Sequence, residues 1–169
     1  MTFPIYQVVG YKNSGKTTLM EKLIQYFSNH NVRVGTLKHH GHGGTLKTVE
    51  GTDSFRHSQS GSHLATVQGK NELQLSTNFQ MELAELIEMY TFFNIELLLI
   101  EGYKYVDYPK IVLVKDEEDI HLLDELTNIK AIGVRDDKLI GMFDYFTFSL
   151  NYVEHILPQL ADIFQGKEN

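Results

Sequence analysis

The chain has no cysteine among its 169 residues, which excludes both a disulfide framework and a thiolate zinc site. Arginine is scarce as well, with only Arg33, Arg56 and Arg135, and the formal net charge is −7. A nucleic-acid-binding surface shows as a basic patch or stripe; none is visible, so no nucleic-acid partner is expected. The longest apolar run, around Ile95 to Ile100, is far too short to span a bilayer. No basic region precedes an apolar run at the N-terminus, so no signal peptide is read there, and the expected location is the cytoplasm, away from membranes. Repeats, low-complexity tracts and long Pro-, Gly- or Ser-rich linkers are missing too. A single domain over residues 1–169 is the expectation, long enough to bury a core without staples.

What the chain does contain is an alternation of apolar runs and helical patterns. "FPIYQVVG" reads as a buried strand ending at Gly10. From Lys16, "KTTLMEKLIQYFSNHN" places Leu19, Leu23, Ile24 and Phe27 at helical spacing. "VRVGTLK" is a second strand, so the first forty residues make a strand–helix–strand unit of a parallel sheet. The pattern then dissolves into a glycine-rich stretch that is long for an inert loop, within which Ser54 to Ser60 suit a helix capped by Asp53. "HLATVQG" and "ELQLST" suit a hairpin turning at Lys70-Asn71, and "NFQMELAELIEMY" an amphipathic helix. "IELLLIEG" is a strand buried on both faces, followed by the strand "KIVLVK", a helical "EEDIHLLDEL", the strand Ile129 to Val134 and a last helix over "VEHILPQLADIFQ". The expected fold is α/β: an open, mainly parallel sheet of the P-loop NTPase type with helices on both faces.

Gly10-Tyr11-Lys12-Asn13-Ser14-Gly15-Lys16-Thr17 matches the phosphate-binding pattern G-x-x-x-x-G-K-[ST]. A strand precedes it and an amphipathic helix follows, which is the context its chemistry requires. Glycines let the backbone wrap around phosphate oxygens, so that N–H groups of the loop, including those of Asn13, Ser14 and Gly15, point inward at a helix N-terminus. Lys16 would then reach the β and γ phosphates, and the Thr17 hydroxyl would coordinate Mg²⁺. A site of this kind also needs a carboxylate at the end of a neighbouring strand, and Glu101 supplies it after four aliphatic residues.

Ligands of open parallel sheets bind outside the carboxyl ends of the strands. "KHHGHGG", from Lys38, follows the second strand and so belongs to the same edge as the phosphate loop and Glu101. Three readings stay open for it. His39, His40 and His42, joined by His57 or His63, could ligate zinc or nickel, although adjacent histidines tend to point apart. Lys38 and the histidines could instead donate to anionic oxygens of a nucleotide or second substrate. A solvated polar loop is the third. Asp53 has two roles open to it: a helix N-cap, or a carboxylate that holds Mg²⁺ through water or positions an attacking water.

Taken together, "VVGYKNSGKTTL", "TLKHHGH", "GTDSFRHSQSGS" and "LLLIEGYK" resemble the MobB family of molybdopterin-guanine dinucleotide biosynthesis adapter proteins, from Pro4 to about Lys104. The resemblance implies a GTP-binding protein with at most slow GTPase activity. It would assist the molybdopterin guanylyltransferase that joins GMP to molybdopterin, alongside other molybdenum-cofactor proteins, and would act as a homodimer with GTP and Mg²⁺ as its ligands. Gly15, Lys16, Thr17 and Thr18 carry over as phosphate and magnesium residues and Glu101 as the strand-end carboxylate. Lys38, His39, His40 and Lys104 carry over as a phosphate or substrate loop, and Asp53 as a catalytic candidate beside Glu101. With the family in view, the histidine loop is expected to face a phosphorylated ligand rather than a structural metal.

GTPases usually read guanine with an N/T-K-x-D segment after a strand, and none is present. Asp136 or Asp137, after the strand Ile129 to Val134, is the positional expectation. A small-molecule kinase is disfavoured because such enzymes close an arginine-bearing lid over the phosphoryl group, and only Arg56 lies in a suitable loop. A GTP-dependent metal-insertion chaperone gains from the histidines and loses from the lack of cysteine.

Overall fold

The computed structural model describes residues 3–40 and 50–164. His42, a member of the metal reading, lies outside them. The chain divides into two compact units, Met1–Gly41 with Phe93–Asn169, and His42–Phe92. No linker announces the division because the second unit is an insertion in the sequence between two strands of the first.

In the first unit, β1 (Ile5–Gly10), β2 (Val34–Lys38), β5 (Leu97–Glu101), β6 (Lys110–Val114), β7 (Ile129–Val134) and β8 (Thr147–Ser149) form one sheet in the order β2-β5-β1-β6-β7-β8. Every pairing is parallel. All five residues of β5 and all five of β6 are buried, as continuous aliphatic runs require when both faces are covered. On one face α1 (Lys16–Asn29) and α5 (Leu157–Phe164) pack Leu19, Leu23, Phe27, Leu160 and Phe164 against Val8, Leu99, Ile111 and Leu113. On the other, α4 (Leu122–Glu125) brings Leu122, with Leu126 and Leu139, onto Val9, Val112, Ile132 and Val134. Each such side chain stabilises by roughly 1.5–3 kcal/mol when fully buried. The expected open parallel sheet with helices on both faces is therefore the observed one.

Between β1 and β2 stands β5, which pairs with both. Its register sets Glu101 opposite Val8 on one side and Lys38 on the other. That alignment, rather than anything local, builds the site described below.

Two expectations for this unit are corrected in detail, and one strand is added. "EEDIHLLDEL" is a 3-10 turn over Glu117–Asp119 followed by the four-residue α4, because Asp116 accepts from the Glu118 N–H and closes a tight turn. The last helix is split: Leu150–His155 is 3-10 with a non-helical Tyr152, and only α5 is α-helical. The strand β8 was not foreseen.

The second unit contains α2 (Asp53–Gln59), the antiparallel hairpin of β3 (Leu64–Gln68) and β4 (Leu73–Thr77), and α3 (Leu83–Tyr90). Residues 69–72 connect the hairpin, so the turn expected at Lys70-Asn71 falls inside it. Asp53 is not the cap of α2. Thr52 is, its hydroxyl accepting from the Phe55 N–H at 3.3 Å, while Asp53 is the first helical residue and pairs with Arg56 at 3.7 Å. α3 begins later than expected, since Glu82 and Glu85 form a reciprocal capping box and leave Phe79 outside the helix. Ala65 is the buried apolar residue among those described here, and Leu64, Val67, Leu73, Leu75 and Phe79 are exposed.

Candidate functional site

The site lies at the carboxyl ends of β1, β5 and β2, where α1 begins. Gly10 ends β1 at φ 154°, and a Cβ there would stand 2.7 Å from Ser14 Oγ and 2.8 Å from the Leu113 carbonyl oxygen. No side chain fits, so the loop can turn back on itself only with glycine at this position. Asn13 adopts φ 63° and Gly15 φ 100° before α1 starts at Lys16. Positive-φ residues alternating with ordinary ones turn successive N–H groups toward a common concavity suited to an anion. Ser14 is buried and its hydroxyl has no hydrogen-bond partner among the described residues. An orphaned polar atom inside the loop is what a cradle built for an anion would contain.

Lys16 donates from Nζ to the Tyr11 carbonyl oxygen at 2.6 Å, so in this structure its ammonium folds back on the loop. Burial lowers its pKa below the ordinary lysine value; the Glu101 carboxylate opposes this, and the nearby Lys104 and Lys38 ammoniums reinforce it. A phosphate dianion would favour the charged form.

Glu101 is buried at the end of β5. The Thr17 hydroxyl lies 3.4 Å and 3.3 Å from its two carboxylate oxygens, and Lys38 Nζ pairs with Oε1 at 2.9 Å. Lys38 Nζ is also 3.4 Å from Thr17 Oγ1. A hydroxyl and a carboxylate are the hard oxygen donors that Mg²⁺ takes, so the residues present fit that ion. Thr18 is exposed in the first turn of α1.

The segment after Glu101 is held from inside the sheet by a residue that the sequence pattern did not single out. Gln7, fully buried, donates from Nε2 to the carbonyl oxygens of Gly102 at 3.0 Å and Tyr103 at 2.8 Å. A lone amide in an apolar strand was the available signal. Gly102 has φ 98°, and a Cβ on it would stand 3.0 Å from His39 Cβ. The His39 N–H donates to the Glu101 carbonyl oxygen at 2.9 Å and its ring lies 4.3 Å from that of Tyr103. His40 is exposed beside it. Lys104 Nζ rests 3.8 Å above the Tyr11 ring, whose hydroxyl meets His121 Nε2 at 2.8 Å. Among the described residues no group of three or more His, Asp or Glu is gathered as metal ligands.

Asp136 and Asp137 follow β7 as expected. Asp136 caps a 3-10 turn, accepting from the Lys138 N–H at 3.0 Å. Asp137 accepts from Ser149 Oγ at 2.5 Å and Asn151 Nδ2 at 3.5 Å, and Arg135 donates to the Asn13 carbonyl oxygen of the phosphate loop at 3.4 Å. Asp53 belongs to the second unit, exposed in its pair with Arg56. No helix among the described residues is long and apolar enough to cross a membrane.

The family model for molybdopterin guanine dinucleotide synthesis protein B matches residues 5–135, which include the phosphate loop, Lys38, Glu101 and Lys104. The probable molybdopterin-guanine dinucleotide biosynthesis adapter protein of Bacillus subtilis strain 168 is 46% identical over 134 residues, covering 79% of this chain and 77% of its own. Among solved structures, Bacillus subtilis MobB superposes with a TM-score of 0.85 at 36% identity over 95% of this chain and 98% of that one. The MobB homolog from Bacillus stearothermophilus gives 0.77 at 34%, over 96% and 98%. On the match to the family model and the identity to the Bacillus subtilis relative, the chain belongs to the MobB family.

Proposed function

We propose that this protein is an adapter in molybdopterin guanine dinucleotide synthesis that binds GTP with Mg²⁺ at the start of α1. The observation that carries the nucleotide part is the convergence of Lys16, the Thr17 hydroxyl and the Glu101 carboxylate at one loop whose Ser14 hydroxyl lacks a partner among the described residues. The pathway part rests on family membership and on the name of the Bacillus subtilis relative.

In this reading the backbone of Asn13, Ser14 and Gly15 and the N-terminus of α1 hold the phosphates. Lys16 leaves the Tyr11 carbonyl and places its charge between the β and γ phosphates, with Thr18 beside them. Mg²⁺, held by Thr17 and Glu101, would screen the phosphate charge. Lys38, His39, His40 and Lys104 rim the same edge and face the terminal phosphate or a second phosphorylated substrate. Asp136 and Asp137 stand where a base extending across the carboxyl ends of β7 and β8 would reach. Hydrolysis would be slow, because Glu101 is engaged in cation binding; Asp53 is the remaining catalytic candidate. The working form would be a cytoplasmic homodimer, and the partner a molybdopterin guanylyltransferase with other molybdenum-cofactor proteins.

Calorimetric titration of GTP and of ATP, each with Mg²⁺, tests the reading. Tighter binding of GTP is expected; preference for ATP would remove the guanine assignment and favour a kinase with an unidentified acceptor.

A further inference from the structure

Lys38 ends β2 and Glu101 ends β5, and the parallel register sets these two residues side by side. The Lys38 ammonium touches the same two groups that a magnesium ion would use: Glu101 Oε1 at 2.9 Å and Thr17 Oγ1 at 3.4 Å. Glu101 has one-tenth of its side chain exposed, whereas Lys38 has 58%. The carboxylate is therefore fixed and buried, and the cation that neutralises it is on a long, largely solvated stem that can leave. A buried carboxylate without a counter-charge is costly, and the Lys38 ammonium supplies that charge. Lys16, the nearest alternative in the loop, is engaged with the Tyr11 carbonyl.

We propose that Lys38 is a stand-in for the metal: its ammonium occupies the Mg²⁺ position between Thr17 and Glu101 in the nucleotide-free protein, and binding of the Mg²⁺–nucleotide exchanges one cation for the other. The inference rests on the nucleotide reading above. It makes Lys38 a positioning residue that sets how much Mg²⁺ the site requires, and it couples metal entry to release of a lysine at the edge where the terminal phosphate lies. Without the ion, Lys38 keeps Glu101 neutralised and Thr17 in place; with it, Lys38 is freed toward anionic oxygen.

The test is the Mg²⁺ concentration at which GTP binding is half-tightened, measured by calorimetry across a magnesium series from chelator to excess. Lys38→Met should lower that midpoint about five- to tenfold, because the ion no longer competes with an ammonium. Lys38→Arg, which keeps the competing charge, should stay near the wild-type midpoint. Lys22→Met removes a cation that pairs with Glu154 instead of Glu101, and should shift it by less than twofold. Affinity at saturating Mg²⁺ is read separately and reports what Lys38 does once released. An unchanged or raised midpoint in Lys38→Met, or an equal shift in Lys22→Met, overturns the stand-in role while leaving nucleotide binding intact. Failure of the wild type to bind GTP or ATP at any Mg²⁺ concentration overturns the nucleotide reading and this inference with it.

Discussion

Two charged side chains are buried in the same sheet, one at each end, and they are satisfied in opposite ways. Glu101, at the carboxyl end of β5, is met by side chains that can move: the Thr17 hydroxyl and the Lys38 ammonium. Lys110, at the amino end of β6, is fully buried, and its ammonium donates to the fixed backbone carbonyls of Val106 at 2.9 Å and Thr127 at 2.7 Å. Burial lowers the Lys110 pKa, and Asp107 opposes that effect. Exchangeable partners make a binding site, and fixed partners make a fastening. Lys110 ties the loop after Glu101 to the turn before β7, whereas the Glu101 carboxylate is met only by side chains among the described residues.

The sharpest way to break this contrast is through the binding end. Lys16→Ala should weaken nucleotide affinity by about a hundredfold or more, since charge-assisted contacts of roughly 1.5–3 kcal/mol to phosphate are lost. Its thermal unfolding should be unchanged, and normal affinity by calorimetry would remove the phosphate-loop assignment. Glu101→Gln should cost about tenfold in affinity at saturating Mg²⁺ and abolish the difference between titrations with and without the ion.

The fastening end answers in stability instead. Lys110→Met should destabilise by about 1–3 kcal/mol in denaturant unfolding, by removing the two hydrogen bonds that its buried ammonium donates to the Val106 and Thr127 carbonyls, while GTP affinity stays at wild-type level. The sign of its pH dependence follows from the lowered pKa. The cost of burying the ammonium is present below the folded pKa and is relieved as pH rises toward the ordinary lysine value. Wild-type stability should therefore gain a rising contribution on the alkaline side that Lys110→Met lacks; parallel profiles would contradict it.

Lys16 gives a subtler pH effect. Its pKa is lowered in the free protein, and bound phosphate raises it, so affinity should fall as pH climbs above the free-protein value. Titrations across the alkaline range should show the decline at lower pH than an ordinary lysine would give. Smallest of all, His39→Ala with His40→Ala should leave the zinc content of purified protein unchanged, and stoichiometric zinc lost with those residues would revive the chaperone reading.

The sequence was most legible where a function compels a local pattern. Residues Gly10 to Thr17 are recognisable because the two glycines and Asn13 serve one tight turn between β1 and α1, and the aliphatic run before Glu101 is readable because β5 is covered on both faces. Contacts across strands were not legible in that way. That Lys38 meets Glu101 follows from β5 lying between β1 and β2, a strand order decided by packing across the whole sheet. The cap of α2 went to Thr52 rather than Asp53 because the hydroxyl one residue earlier reaches the Phe55 N–H. Propensity cannot separate neighbours of such similar capping strength. The helical pattern after Lys115 failed for a related reason: Asp116 and Asp119 bind local backbone N–H groups and close turns in place of a continuous helix.

The most direct test of the account is the structure of the protein with Mg²⁺ and a slowly hydrolysed GTP analogue. Phosphates are expected in the loop at the start of α1, with Lys16 drawn from the Tyr11 carbonyl onto them and the ion between Thr17 and Glu101 with Lys38 displaced. A nucleotide bound elsewhere, or Lys38 still seated on Glu101 beside the bound phosphates, would contradict it.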